Sequence, residues 1–203
     1  MQRAIFMQFA CNTPTHREEY VRSLMPLFPV DAPGPCLRNR EDNRSTTDPQ
    51  GLTAEYMFSL VLENAHIDSY VTDKLFRALQ AGTIPVYRGA ADVARYLPHA
   101  AAVINVRDFE TEGGLATYLH EVSLSEELWR KHVAWRSRAG HIGESFVRLS
   151  RTQYMHTQCR VCMYCCAGGD PLAHTMSWEE PLSPVAAPWQ PSRHRWNKRE
   201  GTS

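Results

Sequence analysis

An excess of charge of either sign is missing from this chain: Lys and Arg together number 22, and Asp and Glu also 22, among 203 residues. That balance excludes an overall basic field of the kind that draws nucleic acid or an anionic membrane surface. Any phosphate the protein holds must therefore be held by a few placed groups. Also missing is an apolar run of roughly 18 or more residues, so no segment reads as membrane-spanning. The nearest approach to a targeting signal is Arg3 followed by apolar residues 4–10. That stretch is at the short limit for a clipped signal peptide and reads equally well as a first β-strand, the preferred reading.

What is present is a one-domain length with an apolar share of 43%, enough for a real core. Residues 5–9 read as a strand, and the polar turn at 12–15 ends in Thr15, a candidate N-cap for a helix over 16–24 with Glu18 and Glu19 in its first turn. Pro26 and Pro29 end that helix, Val30-Asp31 begins a short strand, and residues 32–50 read as a Pro-, Gly- and Asn-containing loop. Residues 56–62 are apolar and β-prone, as a strand buried on both faces should be. Val71, Leu75, Ala78 and Leu79 share one helical face, Gly82 stops that helix, and 84–87 is the next strand. A short helix over 92–97, a strand over 101–106, helices over 115–122 and 126–138, and an amphipathic helix over 145–156 complete the pattern. Strands alternating with helices predict an α/β domain, Rossmann-like, with a mainly parallel sheet and flanking helices. Beyond Ala167 five prolines appear without apolar periodicity, so 167–203 reads as a disordered tail in which Trp178, Trp189 and Trp196 are potential partner anchors.

In open α/β sheets the ligand sits outside the carboxyl ends of the strands. Glu63 and Asn64 fall there, directly after the 57–62 strand. The following helix opens with Thr72-Asp73-Lys74: Thr72 suits an N-cap and Asp73 suits the positive end of the helix dipole. Lys74 does not, unless a bound phosphate occupies that helix end and uses the lysine as a point charge. The bland alternative is a lysine extended into water. Arg17 reads either as a solvated helix residue or as a second cation reaching the same crevice, where two cations would neutralise a leaving diphosphate. Tyr70 reads either as a half-buried core residue or as a ring stacked on a base or ribose.

These residues form a recognisable series. Phe58-Ser59-Leu60-Val61-Leu62-Glu63-Asn64, then Tyr70-Val71-Thr72-Asp73-Lys74-Leu75, then Gly82-Thr83-Ile84-Pro85-Val86 resembles the three-part signature of the α1,3-fucosyltransferases of glycosyltransferase family 10. Arg17-Glu18-Glu19-Tyr20-Val21, Val30-Asp31 with Cys36 beyond, Leu97-Pro98 and Val106-Arg107-Asp108-Phe109 are similar to its outer landmarks. Ser145-Phe146 and Cys159-Arg160-Val161-Cys162 resemble the C-terminus of plant-type core fucosyltransferases, so coverage runs over about residues 4–166. The resemblance implies the C-terminal, donor-binding half of a two-domain GT-B enzyme. Such an enzyme transfers fucose from GDP-fucose, with inversion, to the 3-hydroxyl of a glycan N-acetylglucosamine in protein glycosylation. It implies no tightly bound cofactor and no catalytic metal. Arg17 and Lys74 would contact the pyrophosphate, with Asn64, Tyr70 and Thr72 in the nucleotide-sugar pocket. Asp73 and Glu63 would be its catalytic carboxylates, Asp73 standing beside the fucose. Partners would be GDP-fucose and a glycan or glycoprotein acceptor, with no nucleic acid, and the location the Golgi lumen, reached through an N-terminal membrane anchor that this chain lacks.

Three departures accompany the resemblance. Asp73 is one methylene shorter than the glutamate of the family pattern, and a displacement of about 1 Å can cost on the order of 10²-fold in rate. Phe9-Ala10 replaces a Ser-Asn pair. No acceptor domain, the source of the general base in the family, precedes Ile5, so a nucleotide-sugar-binding fragment without transferase activity is the alternative reading. The expected organisation is a GDP-fucose-binding domain over 1–157, a Cys-rich segment over 158–166 and the tail over 167–203. Four of six cysteines, Cys159, Cys162, Cys165 and Cys166, lie in that segment, with His156 three residues before. A tetrahedral zinc site can be drawn from His156, Cys159, Cys162 and Cys165, but a second ligand pair at the usual distance is missing. Disulfides and free thiols remain as alternatives, and the resemblance favours luminal disulfides.

Overall fold

The computed structural model describes residues 1–137 and 142–153. Strands β1 (Ala4–Ile5), β2 (Val30–Asp31), β3 (Phe58–Leu62), β4 (Ile84–Arg88) and β5 (Ile104–Asn105) form one sheet in the order β2-β1-β3-β4-β5. Every neighbouring pair is parallel, with Ala4 opposite both Val30 and Phe58, and Leu62 opposite Arg88. The expected α/β, Rossmann-like architecture with flanking helices is present.

Parallel strands need crossovers, and those helices bury both faces of the sheet. That is why β3 reads as an unbroken apolar run. Phe58, Leu60 and Leu62 enter one core with Val21 and Leu24 of α1 (Arg17–Leu24) and Leu115, Leu119 and Val122 of α5 (Glu112–Leu124). Val61 faces the other way, into a core with Leu75, Ala78 and Leu79 of α4 (Asp73–Gln80). The order 2-1-3-4-5 changes direction between β1 and β3, and there a crevice opens at the carboxyl ends.

Local chemistry explains where the elements differ from the sequence expectation. Thr15 does not cap α1: His16 takes the flanking position in the left-handed region, at φ 51°, and the Thr15 hydroxyl donates to the Glu63 carbonyl at 2.9 Å. The segment read as a loop over 32–50 contains α2 (Arg44–Thr47) and the start of α3 (Pro49–Ala54). Asp48 caps α3 by accepting from Gly51 N at 2.9 Å, and Pro49 occupies the first helical position, where its missing N–H costs nothing. The expected 101–106 strand shortens to β5 because 3₁₀ turns at Ala100–Ala102 and Val106–Asp108 take its ends. A 3₁₀ turn at Val93–Tyr96 replaces the helix over 92–97. Thr72 caps α4 as its sequence suggests, accepting from Lys74 N. Helix α6 (Glu126–Val133) runs into the 3₁₀ turn Ala134–Ser137, and α7 is Glu144–Gln153. His156, the cysteines beyond it and the 167–203 tail lie outside the described residues. Among the described residues no helix is long and apolar enough to cross a membrane.

Cys11 and Cys36 form a disulfide, 25 positions apart in sequence, that ties the segment leaving β1 to the loop leaving β2. A closed loop of that size corresponds to about 3 kcal/mol of restricted unfolded-state entropy. A Cys11→Ala/Cys36→Ala variant is therefore expected to lose about that much stability in a denaturant titration. An unchanged midpoint would show that the bridge contributes nothing.

Candidate functional site

The carboxyl ends of β1 and β3 open into a cleft of about 560 Å³ that continues between α3 and α4. The 7–10 segment forms one lip, helices α2 and α3 supply Thr46, Gln50 and Thr53, and Ser59 and Val61 of β3 contribute to the floor. Arg17, Asn64, Asp73 and Lys74 all line it. Residues separated by up to 57 positions in sequence are thus brought to one surface by the β1/β3 switch. Glu63, Tyr70 and Thr72 are not among the described lining residues.

Arg17 begins α1 and is wholly buried. Its Nη1 donates to the Leu62 carbonyl at 3.0 Å and to the Asn64 side-chain oxygen, its Nη2 to the Ala10 carbonyl, and its Nε to Glu18 at 3.2 Å. Those bonds clamp the chain leaving β1 against the chain leaving β3. They use four of the five guanidinium donors, which leaves one Nη2–H on a residue that lines the cleft. The reading of Arg17 as a solvated surface residue is thereby replaced.

Glu63 is also fully buried and does not line the cleft among the described residues. Its carboxylate accepts from the Thr72 backbone N at 2.9 Å, from the Thr72 hydroxyl at 2.8 Å and from Lys74 Nζ at 3.2 Å. Lys74 Nζ also donates to Thr72 Oγ1 at 3.0 Å. The lysine that suits the helix dipole badly is neither extended into water nor dependent on a ligand: a buried carboxylate holds it. It remains 23% exposed at its side chain and reaches the cleft. Gly89 is required beside Glu63, because a Cβ there would come within 2.4 Å of the Tyr87 hydroxyl and 2.7 Å of Glu63 Cγ. Burial, with the Glu63 charge nearby, pushes the neighbouring Tyr87 hydroxyl up to about 12, so it stays protonated and accepts from Ala90 N at 3.0 Å.

Asp73 stands at the first position of α4, 64% exposed at its side chain, and pairs with Arg77 Nε at 2.9 Å one turn on. Both line the cleft, so its rim carries a carboxylate and a guanidinium side by side. Tyr70 is half-buried in the loop before α4, its backbone N donating to the Ile67 carbonyl at 3.1 Å. Sequence reasoning did not find Arg77 or the α2–α3 wall. The Asp-x-x-x-Arg spacing on one helix face and the Asp48-Pro49 start were the available signals. Cations also gather at the ends of β4 and β5: Arg88 donates to the Thr15 carbonyl and Arg107 to that of Gly89, both at 3.0 Å. Burial, reinforced by these two charges, holds His66 below its ordinary value.

An all-parallel 2-1-3-4-5 sheet with cationic side chains in the crevice at its switch point defines a doubly wound α/β domain with its ligand crevice outside the carboxyl ends of the strands. The chain belongs to glycosyltransferase family 10, the fucosyltransferases: the model of that family's C-terminal region matches residues 2–171. Over 140 residues, 65% of its length, it is 34% identical to GDP-fucose protein O-fucosyltransferase 3 of Homo sapiens, and equally to that of Canis lupus familiaris. The chain spans 29% of the length of each of these relatives. A solved α1,3-fucosyltransferase with GDP-fucose superposes with a TM-score of 0.59 over 64% of this chain and 38% of the other, at 24% identity, which establishes likeness of fold.

Proposed function

We propose that this chain is the donor-binding half of a fucosyltransferase: it holds GDP-fucose while fucose passes, with inversion, to the 3-hydroxyl of a glycan N-acetylglucosamine. The observation that carries the reading is the convergence of Arg17, Asn64 and Lys74 on one cleft at the carboxyl ends of β1 and β3. A pyrophosphate there meets the remaining Arg17 N–H, the Lys74 ammonium and the N-terminus of α4. Together they neutralise the charge that grows on GDP as it leaves. Asp73, at the rim, faces the sugar and offsets positive charge developing on its ring. Glu63 acts through Lys74 and Thr72 and is a positioning residue. Tyr70, in the loop that leads into α4, borders the sugar end. The general base for the acceptor comes from another part of the whole protein.

A second reading concerns the acceptor alone. The relatives at 34% identity are named for protein O-fucosylation, which favours a hydroxyl of a protein side chain as the nucleophile. The Cys11–Cys36 bridge supports an oxidising compartment, consistent with a Golgi lumenal location for either reaction. Residues 1–157 would form the donor domain, with 158–166 and 167–203 as appendages.

Calorimetric titration with GDP-fucose is expected to show saturable binding, and no binding would remove the whole reading. GDP release is then measured with an N-glycan and with a folded protein as acceptors. Release with the glycan alone supports the first acceptor and release with the protein alone the second. Binding without release by the full-length protein would leave a nucleotide-sugar-binding role. Inversion requires a product with the opposite anomeric configuration to the donor, read by NMR. In the competent enzyme, Asp73→Glu is expected to raise kcat and Asp73→Asn to lower it by about 10²-fold, the scale of a misplaced catalytic group.

A further inference from the structure

Phe9 is 58% exposed, immediately beyond β1, on the lip of the cleft. It is the one aromatic among the described lining residues. Phe28 and Phe58 satisfy each other edge-to-face at 5.6 Å, whereas Phe9 has no ring partner among the described residues. Its backbone is nevertheless held on the C-terminal side, because Arg17 Nη2 binds the Ala10 carbonyl and the disulfide fixes Cys11 to Cys36. A ring presented on a fixed backbone loses little conformational entropy when something covers it, and apolar area left in water is recovered on contact.

Which part of the donor covers it follows from the order of the donor's parts, and rests on the donor-binding reading above. The pyrophosphate separates fucose from the nucleoside. With the pyrophosphate at Arg17 and Lys74 and the fucose at Asp73, on the α4 side, the nucleoside extends the other way, toward β1. Phe9 stands on that side. A phenyl ring has no hydrogen bond to offer a sugar hydroxyl, but it matches the flat face of a purine.

We propose that Phe9 is a stacking platform for the nucleobase of the donor, at a position where the family pattern carries serine. Base–aromatic stacking of this kind is lost on truncation to alanine with an effect of about tenfold in affinity.

The test compares GDP, GDP-fucose and inorganic pyrophosphate binding to the wild-type chain, Phe9→Ala and Phe9→Trp by calorimetry. The expected result is a loss of about tenfold in Phe9→Ala for both GDP and GDP-fucose, no change for pyrophosphate, and affinity kept in Phe9→Trp. Since the side chain is mostly in solvent, Phe9→Ala leaves the fold intact, and its unchanged pyrophosphate affinity verifies that directly. Equal GDP affinity in Phe9→Ala and wild type overturns the proposal. So does a loss confined to GDP-fucose, which assigns the ring to the sugar, or an equal loss for pyrophosphate, which makes the effect a distortion of the cleft. A wild-type chain that binds none of the three overturns the donor reading as well.

Discussion

Replacing Arg17 by methionine is expected to cost the fold about 3–5 kcal/mol, the range for removing one member of a buried, hydrogen-bonded charge pair. The side chain is wholly buried, so methionine fills much of its volume without supplying a donor. Glu18, 8% exposed, loses the cation beside it, and the carbonyls of Ala10 and Leu62 and the Asn64 side chain lose theirs. A denaturant titration reads the loss, and a shift below about 1 kcal/mol, the size of an ordinary surface effect, would contradict the clamp. Because instability obscures ligand binding, the donor role is read from Arg17→Lys. That variant keeps the charge but not the planar fork, and it is expected to bind GDP-fucose more weakly than wild type.

The second large effect is at Lys74. Lys74→Ala is expected to weaken GDP-fucose binding by about 1–3 kcal/mol, the scale of a lost charged hydrogen bond. It also leaves the Glu63 carboxylate buried beside only the Thr72 donors, which costs about 3 kcal/mol of stability. The two losses are separable. Glu63→Gln/Lys74→Met removes both charges, keeps an acceptor for Thr72 N and is expected to recover most of the stability while donor affinity stays low. If the double variant binds GDP-fucose as the wild type does, Lys74 serves the fold alone. If Lys74→Ala is as stable as wild type, the buried pair is energetically idle.

Both predictions concern residues whose sequence context pointed to the crevice but not to their partners. Lys74 looked ill-placed because only its own helix was visible. The carboxylate that holds it lies 11 residues upstream, at the end of another element. Arg17 read as a surface residue or a ligand contact, and it also serves as the clamp between two strand ends, which no local pattern encodes. Phe9 entered only as a departure from a pattern, since exposure at a cleft lip is a property of the assembled surface.

Local physics was enough for the elements with strong periodicity. The doubly buried apolar run of β3, the Thr72 cap and apolar face of α4, and the alternation that demands a parallel sheet are short-range features, and the sequence determined them. Elements held by weak local preference were misjudged: 3₁₀ turns trimmed β5, and two short helices occupy what reads as loop, because Leu52 of α3 is buried with Ile5 and Tyr56 and α2 packs on α3. The cleft itself belongs to the tertiary structure. Strand order decides which carboxyl ends adjoin, and burial decides that Glu63 holds Lys74 from within the protein while Asp73 and Arg77 line the cleft. Charge balance along the chain required that any phosphate site be made of a few placed groups; only the fold could place them.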